Sequence, residues 1–192
     1  RRVGKSTLIE EFSKPYIFYK FSGLAPTPNI TDQDQRDFFA KQFKKHFQIS
    51  LQADDWWGLF VALAQQVSNQ QTVILLDEIS WMAQEDATFL SKFKEAWDSY
   101  FKKKNKLMLI LCGSVSSWIE KNILANTGFV GRISLQMTLE PLPLNICNYF
   151  FRKKMLSGYE KLKFLSVTGC IPKYLEELNL NDLAFTTKVG RK

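Results

Sequence analysis

The chain has 192 residues, of which 45% are hydrophobic, and it carries a formal net charge of +7 at neutral pH. This composition excludes a wholly disordered chain and predicts one domain, or one domain with a small appendage. No apolar run approaches the roughly 18 residues that a membrane-spanning helix needs. The three cysteines form no C-x-x-C pair, which argues against a disulfide framework or a zinc ribbon and favours a reducing cytoplasm.

The predicted elements alternate between helices and strands along most of the chain. Short strands separated by helices predict the α/β class, with a parallel sheet joined by crossover helices. In chain order we predict a helix over Lys5–Ser13, a strand over Tyr16–Phe21, a helix from Thr31, a helix from Trp56, a strand over Thr72–Leu76, a helix over Asp86–Lys104, a strand over Leu107–Cys112, a helix over Ser114–Lys121, a strand over Ile133–Leu139, and helices only over Leu144–Leu178.

Several residues support particular elements. Asp34 follows Thr31 by three residues, which is typical of a capped helix start. The strands at 72–76 and 107–112 are continuous apolar runs, which predicts burial on both faces. The lone His46 is predicted at the surface of its helix and not in a metal site, because no second His or Cys lies near it.

The net charge is unevenly placed. Residues 141–192 carry a net charge of +5, against +2 for residues 1–140. A basic segment can bind nucleic acid, or it can be a solvated face with no charged partner. Both alternatives stay open from the sequence.

The segment Val3-Gly4-Lys5-Ser6-Thr7 matches the end of a phosphate-binding loop, G-x-x-x-x-G-K-[ST]. Gly4 lets backbone N–H groups point at phosphate oxygens, and the Lys5 ammonium group can reach the β- and γ-phosphates. The hydroxyl of Ser6 can bind Mg²⁺, and the helix that begins here directs its positive end at the anion. The first glycine of the pattern would precede Arg1, and no initiator Met is present, so we expect the chain to be a fragment cut within this loop.

Two carboxylates, Asp77 and Glu78, follow the predicted strand at 72–76. Placing acidic groups at the end of a buried strand costs folding free energy unless they bind a cation or take part in a reaction. In phosphate-loop enzymes such an Asp holds Mg²⁺, and a following Glu can deprotonate the attacking water. The alternative is that Asp77 caps the next helix and Glu78 faces solvent.

Ser114 follows the predicted strand at 107–112. If the two strands are neighbours, its hydroxyl lies beside Asp77 and Glu78 and can bond a γ-phosphate or the attacking water. The hydroxyl of Ser114 could equally cap the next helix. The sequence does not decide between the two.

These motifs together resemble the AAA+ superfamily of P-loop ATPases. The resemblance spans residues 1–180 and is strongest to the prokaryotic AAA and archaeal-type ATPases related to the STAND clade. The stretches that carry it are R-R-V-G-K-S-T, V-I-L-L-D-E, I-L-C-G-S-V-S-S-W, G-F-V-G-R-I and G-C-I-P-K-Y-L. It implies a three-layer α-β-α domain over residues 1–142 and a partial helical lid over residues 143–192.

The resemblance also implies roles for individual residues. Lys5, Ser6 and Thr7 match Walker A, Asp77 and Glu78 match Walker B, and Ser114 matches the sensor 1 position. Arg132 matches an arginine finger directed at a γ-phosphate, although an ion pair within the domain is the alternative. Pro172 and Lys173 match the lid segment near the nucleotide, although Pro172 could simply begin a helix.

One departure from the resembled pattern concerns the sheet. In the AAA+ fold the strand before the phosphate loop is central, in the order 5-1-4-3-2, and this chain does not contain it. Strands 4 and 5 would then lack their shared neighbour. We expect a cost of about 1–3 kcal/mol for each buried backbone group left unpaired.

The resemblance implies an ATP-binding, Mg²⁺-dependent ATPase that acts as a conformational switch, read by a partner protein or a second copy of the chain. A GTPase is disfavoured because Asn105-Lys106-Leu107-Met108 lacks the acid of the N-K-x-D pattern. The alternatives are a nucleotide-binding regulatory module without turnover and a scaffold whose basic lid binds nucleic acid.

Overall fold

A three-stranded parallel sheet runs through the computed structural model, which describes residues 3–83, 86–152 and 156–177. The strands are β1 (Ile17–Ser22), β2 (Thr72–Asp77) and β3 (Leu107–Leu111), in the spatial order β1-β2-β3. Their carboxyl ends meet at one edge, where Ser22 pairs with Asp77 and Leu76 with Leu111. This confirms the α/β class with a parallel sheet.

Helices connect and flank the strands. The helix over Lys5–Ser13 and the capped start at Thr31 are confirmed, since the Thr31 and Asp34 side chains each bond the other's backbone N–H. The helices are α1 (Lys5–Ser13), α2 (Asp32–Phe47), α3 (Trp56–Gln66), α4 (Ile79–Met82), α5 (Phe89–Ser99), α6 (Ser116–Ile119, continued by a π-helical turn over Glu120–Leu124), α7 (Leu144–Cys147), α8 (Gly158–Thr168) and α9 (Pro172–Glu177), with 3₁₀ turns at Phe101–Lys103, Thr127–Phe129 and Asn148–Phe151.

The chain divides into two compact units. One comprises residues 6–136 and contains the sheet. The other comprises residues 1–5 and 137–192, of which the structure describes 3–5, 137–152 and 156–177. The predicted domains, 1–142 and 143–192, stay a prediction.

The core of the sheet-containing unit is rich in aromatic rings. Phe60 of α3 is fully buried, and its ring lies 5.6 Å from that of Trp56, 5.5 Å from that of Phe89 and 5.3 Å from that of Phe93. The Phe21 ring of β1 stacks on that of Phe39 at 4.5 Å. Rings from β1, α2, α3 and α5 thus meet in this core.

The two apolar strands differ in burial. All six residues of β2 are buried, as predicted. The prediction of burial on both faces is wrong for β3, whose five residues are all at least partly exposed, with Met108 47% exposed. β3 pairs only with β2 among the described strands, so one of its edges has no strand neighbour.

The predicted strand over Ile133–Leu139 is wrong. The structure shows no strand between residues 133 and 143, and Leu135 and Met137 are 76% and 64% exposed. Alternating apolar residues form a strand only where a neighbour pairs with the backbone and a core covers one face. In the described part of the chain, this segment has no paired strand.

Side chains of α2 bond the outer edge of β1. The Gln42 side chain accepts from the N–H of Ser22 at 2.8 Å and donates to its carbonyl at 3.0 Å. The prediction of a surface position for His46 is wrong, because its ring is half-buried and its Nε2 donates to the Lys20 carbonyl at 2.9 Å. These contacts occupy backbone groups that an exposed edge would offer to other chains.

The second unit has a small core of its own. Cys147, Phe151 and Leu175 are buried in it, and the half-buried Cys170 packs against them. Helix α8 begins with a Ser157–Glu160 capping box and ends at Thr168, followed by Gly169 as its C-cap. The end of the predicted lid, residues 178–192, lies outside the described residues, as do 153–155 within it. Among the helices that the structure describes, none is long and apolar enough to cross a bilayer.

Candidate active site

The segment that matches the phosphate loop leads directly into α1. Gly4 has φ +89°, a conformation in which side chains are strained. An ideal Cβ at this position would lie 4.0 Å from Pro172 Cγ, which is an ordinary contact, so the backbone angle is what requires glycine. α1 begins at Lys5, which is half-buried like Val3, whereas Thr7 is exposed.

Ser6 and Asp77 lie together in the structure. The Ser6 hydroxyl donates to Asp77 Oδ2 at 2.8 Å across 71 residues of sequence. Ser6 stands in the first turn of α1 and Asp77 is the last residue of β2, where its side chain is shielded from most solvent. The two residues predicted to bind Mg²⁺ are therefore brought together, as hydroxyl and carboxylate oxygen, the ligand types that Mg²⁺ prefers.

The side chain of Glu78, the residue that follows Asp77, is held by hydrogen bonds from Ser114. Both the N–H and the hydroxyl of Ser114 donate to Glu78 Oε2, at 3.0 and 2.9 Å. The hydroxyl of Ser114 thus bonds the carboxylate of Glu78. Helix α6 begins at Ser116, so Ser114 is not the residue that directly precedes it. The structure thus brings two of the three predicted catalytic residues, Glu78 and Ser114, together at the carboxyl end of the sheet.

Glu78 adopts an unusual backbone conformation, with φ +54° and ψ +48°. Such a conformation costs a non-glycine residue roughly 1–3 kcal/mol and persists where the surroundings impose it. Gly23 packs closely against this residue, since a Cβ there would lie 2.9 Å from the Glu78 carbonyl oxygen. The N–H of Gly23 also donates to the Asp77 carbonyl at 3.0 Å. The loop after β1 thus packs directly on the two acidic residues.

Two charged residues near Asp77 were missed by the sequence analysis. Lys20 Nζ lies 3.3 Å from Asp77 Oδ2 and 2.9 Å from Glu10 Oε1. Partial burial alone would lower the pKa of Lys20, but its bonds and charge interactions with Glu10 and Asp77 raise the pKa above its usual value. One available signal was that Lys20 is the sole charge in the strand sequence Y-I-F-Y-K-F.

Arg132 forms an ion pair within the sheet-containing unit. Its Nε and Nη2 donate to the two carboxylate oxygens of Asp98, both at 2.8 Å. Lys94 Nζ also lies 3.0 Å from Asp98. The bonds from Arg132 and then from Lys94 hold the pKa of Asp98 well below its usual range. In this structure the guanidinium group is bound by a carboxylate, and the role as arginine finger stays a prediction.

We expect Asp98→Asn to lower stability most at neutral pH and progressively less in acid. The folded state favours the charged carboxylate, so its contribution is fully present above the ordinary aspartate pKa of about 3.9 and is lost as the pH falls from there through the lower pKa of the folded state. Urea unfolding of both proteins between pH 2.5 and 7 measures the difference. Asp54→Asn, at an exposed aspartate outside the ion pair, is the control. A difference that does not shrink in acid would contradict the prediction.

Pro172 and Lys173 begin helix α9. Proline suits the first turn of a helix, where its missing N–H leaves no bond unmade. Lys173 is exposed, and its Nζ lies 3.5 Å from Glu177 Oε1, one turn further along. A role of either residue toward a nucleotide stays a prediction.

Comparisons with known proteins bear on the fold. No protein-family model matches the chain. An uncharacterized protein of Methanocaldococcus jannaschii, MJECL04, is 26% identical over 182 residues, which cover 94% of this chain and 38% of that protein. The solved structure of the Walker-type ATPase Paby2304 of Pyrococcus abyssi is similar with a TM-score of 0.63 and 19% identity, covering 92% of this chain and 58% of that one. The chain therefore spans less than two thirds of either protein, and it has a fold like that of P-loop NTPases.

Proposed function

We propose that the chain is an ATP-binding module that hydrolyses ATP with Mg²⁺, of the AAA+ type that its motifs resemble. The contact between Ser6 and Asp77 carries this proposal, because it joins two motifs 71 residues apart in the arrangement that such chemistry requires. The Walker-type ATPase with a similar fold supports it.

Each group of residues would have a separate role in the reaction. Val3 to Thr7 would bind the phosphates, with the Lys5 ammonium group on the β- and γ-oxygens. Ser6 and Asp77 would hold Mg²⁺, which when bound supplies positive charge against the phosphate oxygens. Glu78, with its carboxylate oriented by Ser114, would accept the proton of the attacking water. Because the Ser114 hydroxyl already bonds Glu78, its contribution would be to position that base.

The conformational switch belongs to the same proposal. Residues 1–142 would form the nucleotide-binding domain, and residues 143–192 would be part of a helical lid that carries Pro172 and Lys173. Arg132 would act on a γ-phosphate only after leaving Asp98, either within the chain or in a second copy. A partner protein or that second copy would read the change.

We expect Lys5→Ala to weaken ATP binding about 10- to 100-fold, because a hydrogen bond to a charged group contributes about 1.5–3 kcal/mol. Fluorescence titration with mant-ATP on the full chain measures the dissociation constant. Lys41→Ala, at an exposed lysine of α2, is the matched control and should bind like the parent. A parent that does not bind ATP, or a Lys5→Ala variant that binds as well as the parent, would overturn the proposal.

A further inference from the structure

Lys20 is the charged side chain in the middle of β1, where it pairs in register with Leu75 of β2. Its ammonium group contacts two carboxylates from different elements, Glu10 of α1 at 2.9 Å and Asp77 of β2 at 3.3 Å. The oxygen of Asp77 that it contacts, Oδ2, also accepts the Ser6 hydroxyl. An ammonium group therefore lies against the carboxylate that the proposed function assigns to Mg²⁺.

We propose that Lys20 sets the Mg²⁺ dependence of nucleotide binding by competing with the metal for Asp77. This inference rests on the proposed function. A divalent cation and an ammonium group that share one carboxylate repel each other, and the repulsion is only partly screened because the Lys20 and Asp77 side chains are 31% and 12% exposed. The metal binds only if it displaces the ammonium group or tolerates its charge.

Glu10 makes that displacement possible. The Lys20 ammonium group has three donors on a flexible four-carbon stem, so it can keep its bond to Glu10 when it gives up Asp77. The Glu10 side chain is 48% exposed, so it lies in a wetter environment than Asp77. Glu10 thus stabilises the arrangement in which Lys20 has left Asp77 and the Asp77 carboxylate is available to the metal.

Two other roles for Lys20 make different predictions. A lysine that only ties α1 to the sheet would affect stability and leave the Mg²⁺ dependence unchanged. A lysine that binds phosphate would affect nucleotide affinity whether or not Mg²⁺ is present. Competition for Asp77 changes the Mg²⁺ concentration that is needed and leaves the metal-free affinity alone.

The test is fluorescence titration of the full chain with mant-ADP, first in EDTA and then over a series of free Mg²⁺ concentrations. For Lys20→Met we expect the half-saturating Mg²⁺ concentration to fall about 3- to 10-fold, with the affinity in EDTA changed less than about twofold. For Glu10→Gln we expect the opposite, a rise of about 2- to 3-fold, because Lys20 then pairs with Asp77 alone. In the double variant the effect of Glu10→Gln should disappear.

Lys14→Met is the matched control, since Lys14 pairs with Glu11 beside the same helix and both side chains are more than 60% exposed. It should titrate like the parent. An unchanged or higher half-saturating Mg²⁺ concentration in Lys20→Met overturns the inference, as does a weaker affinity in EDTA. If the parent binds mant-ADP with Mg²⁺ dependence and Lys20→Met shows the same dependence, only this inference is rejected. If the parent binds no nucleotide, the proposed function is rejected as well.

Discussion

Replacing Glu78 by Gln is expected to lower the rate of phosphate release about 10²- to 10⁴-fold, the usual contribution of a general base. The ATP dissociation constant should change less than about threefold, because Gln has nearly the same shape and can still accept from Ser114. Glu78 is positioned for this role by two bonds from Ser114 to one carboxylate oxygen. Single-turnover phosphate release and mant-ATP titration measure the two quantities separately.

Two further variants define the result for Glu78. Glu95→Gln, at an exposed glutamate of α5, should release phosphate like the parent. Ser114→Ala should lie between the parent and Glu78→Gln, because it removes one of the two bonds that orient the carboxylate and keeps the base. If the parent binds ATP and releases phosphate no faster than Glu78→Gln, the claim of turnover fails and the chain is a nucleotide-binding regulatory module.

Phe60→Ala is expected to destabilise the protein by about 3–5 kcal/mol. The Phe60 side chain is fully buried, and α3 presents it to aromatic rings of α2 and α5. Truncation removes apolar area from the core and leaves a cavity that rigid neighbouring rings cannot fill. Urea unfolding followed by circular dichroism measures the loss as a lower midpoint.

Phe12→Ala is the matched control for Phe60. The Phe12 side chain is 45% exposed and contacts the Tyr16 ring at 5.5 Å, so its truncation should cost less than about 1 kcal/mol. If Phe60→Ala is too unstable to purify, Phe60→Leu should lose about 1–1.5 kcal/mol and can be measured instead. Equal effects at Phe60 and Phe12 would show that the aromatic cluster is not the main source of stability.

The ion pair between Arg132 and Asp98 bears on how the proposed switch would work. A bidentate bond to a carboxylate, supported by Lys94, is one of the stronger side-chain interactions. The Arg132 guanidinium group therefore cannot bind a γ-phosphate without losing its bonds to Asp98. The loss would have to be offset by contacts with the phosphate, so any finger role requires that Asp98 of α5 release Arg132.

Local sequence patterns predicted much of the fold. The hydroxyl and acid at Thr31 and Asp34 predicted the start of α2, and the glycine at position 4 preceded the helix that begins at Lys5. The apolar run at 72–76 predicted β2. These features depend on residues a few positions apart, whose caps, turns and periodicity act within one element.

The predictions that failed depended on neighbours in space. Residues 133–139 alternate as a strand does, yet no strand lies beside them in the described chain, and Ile133, Leu135 and Met137 stay exposed. β3 has the composition of a buried strand but pairs on one side only. His46 was predicted at the surface because its sequence neighbours are polar, but in the structure its ring bonds the Lys20 carbonyl at the edge of β1.

The local sequence specifies which chemical groups are available: a lysine and a hydroxyl after Gly4, an acid at the end of β2, a second acid directly after it, and a serine after β3. How those groups are paired depends on the tertiary fold. Ser6 with Asp77, Ser114 with Glu78, Lys20 between Glu10 and Asp77, and Arg132 with Asp98 all join different elements. The physical reason is that strand register and helix packing set these distances, and both arise from burial of the whole core rather than from any local pattern.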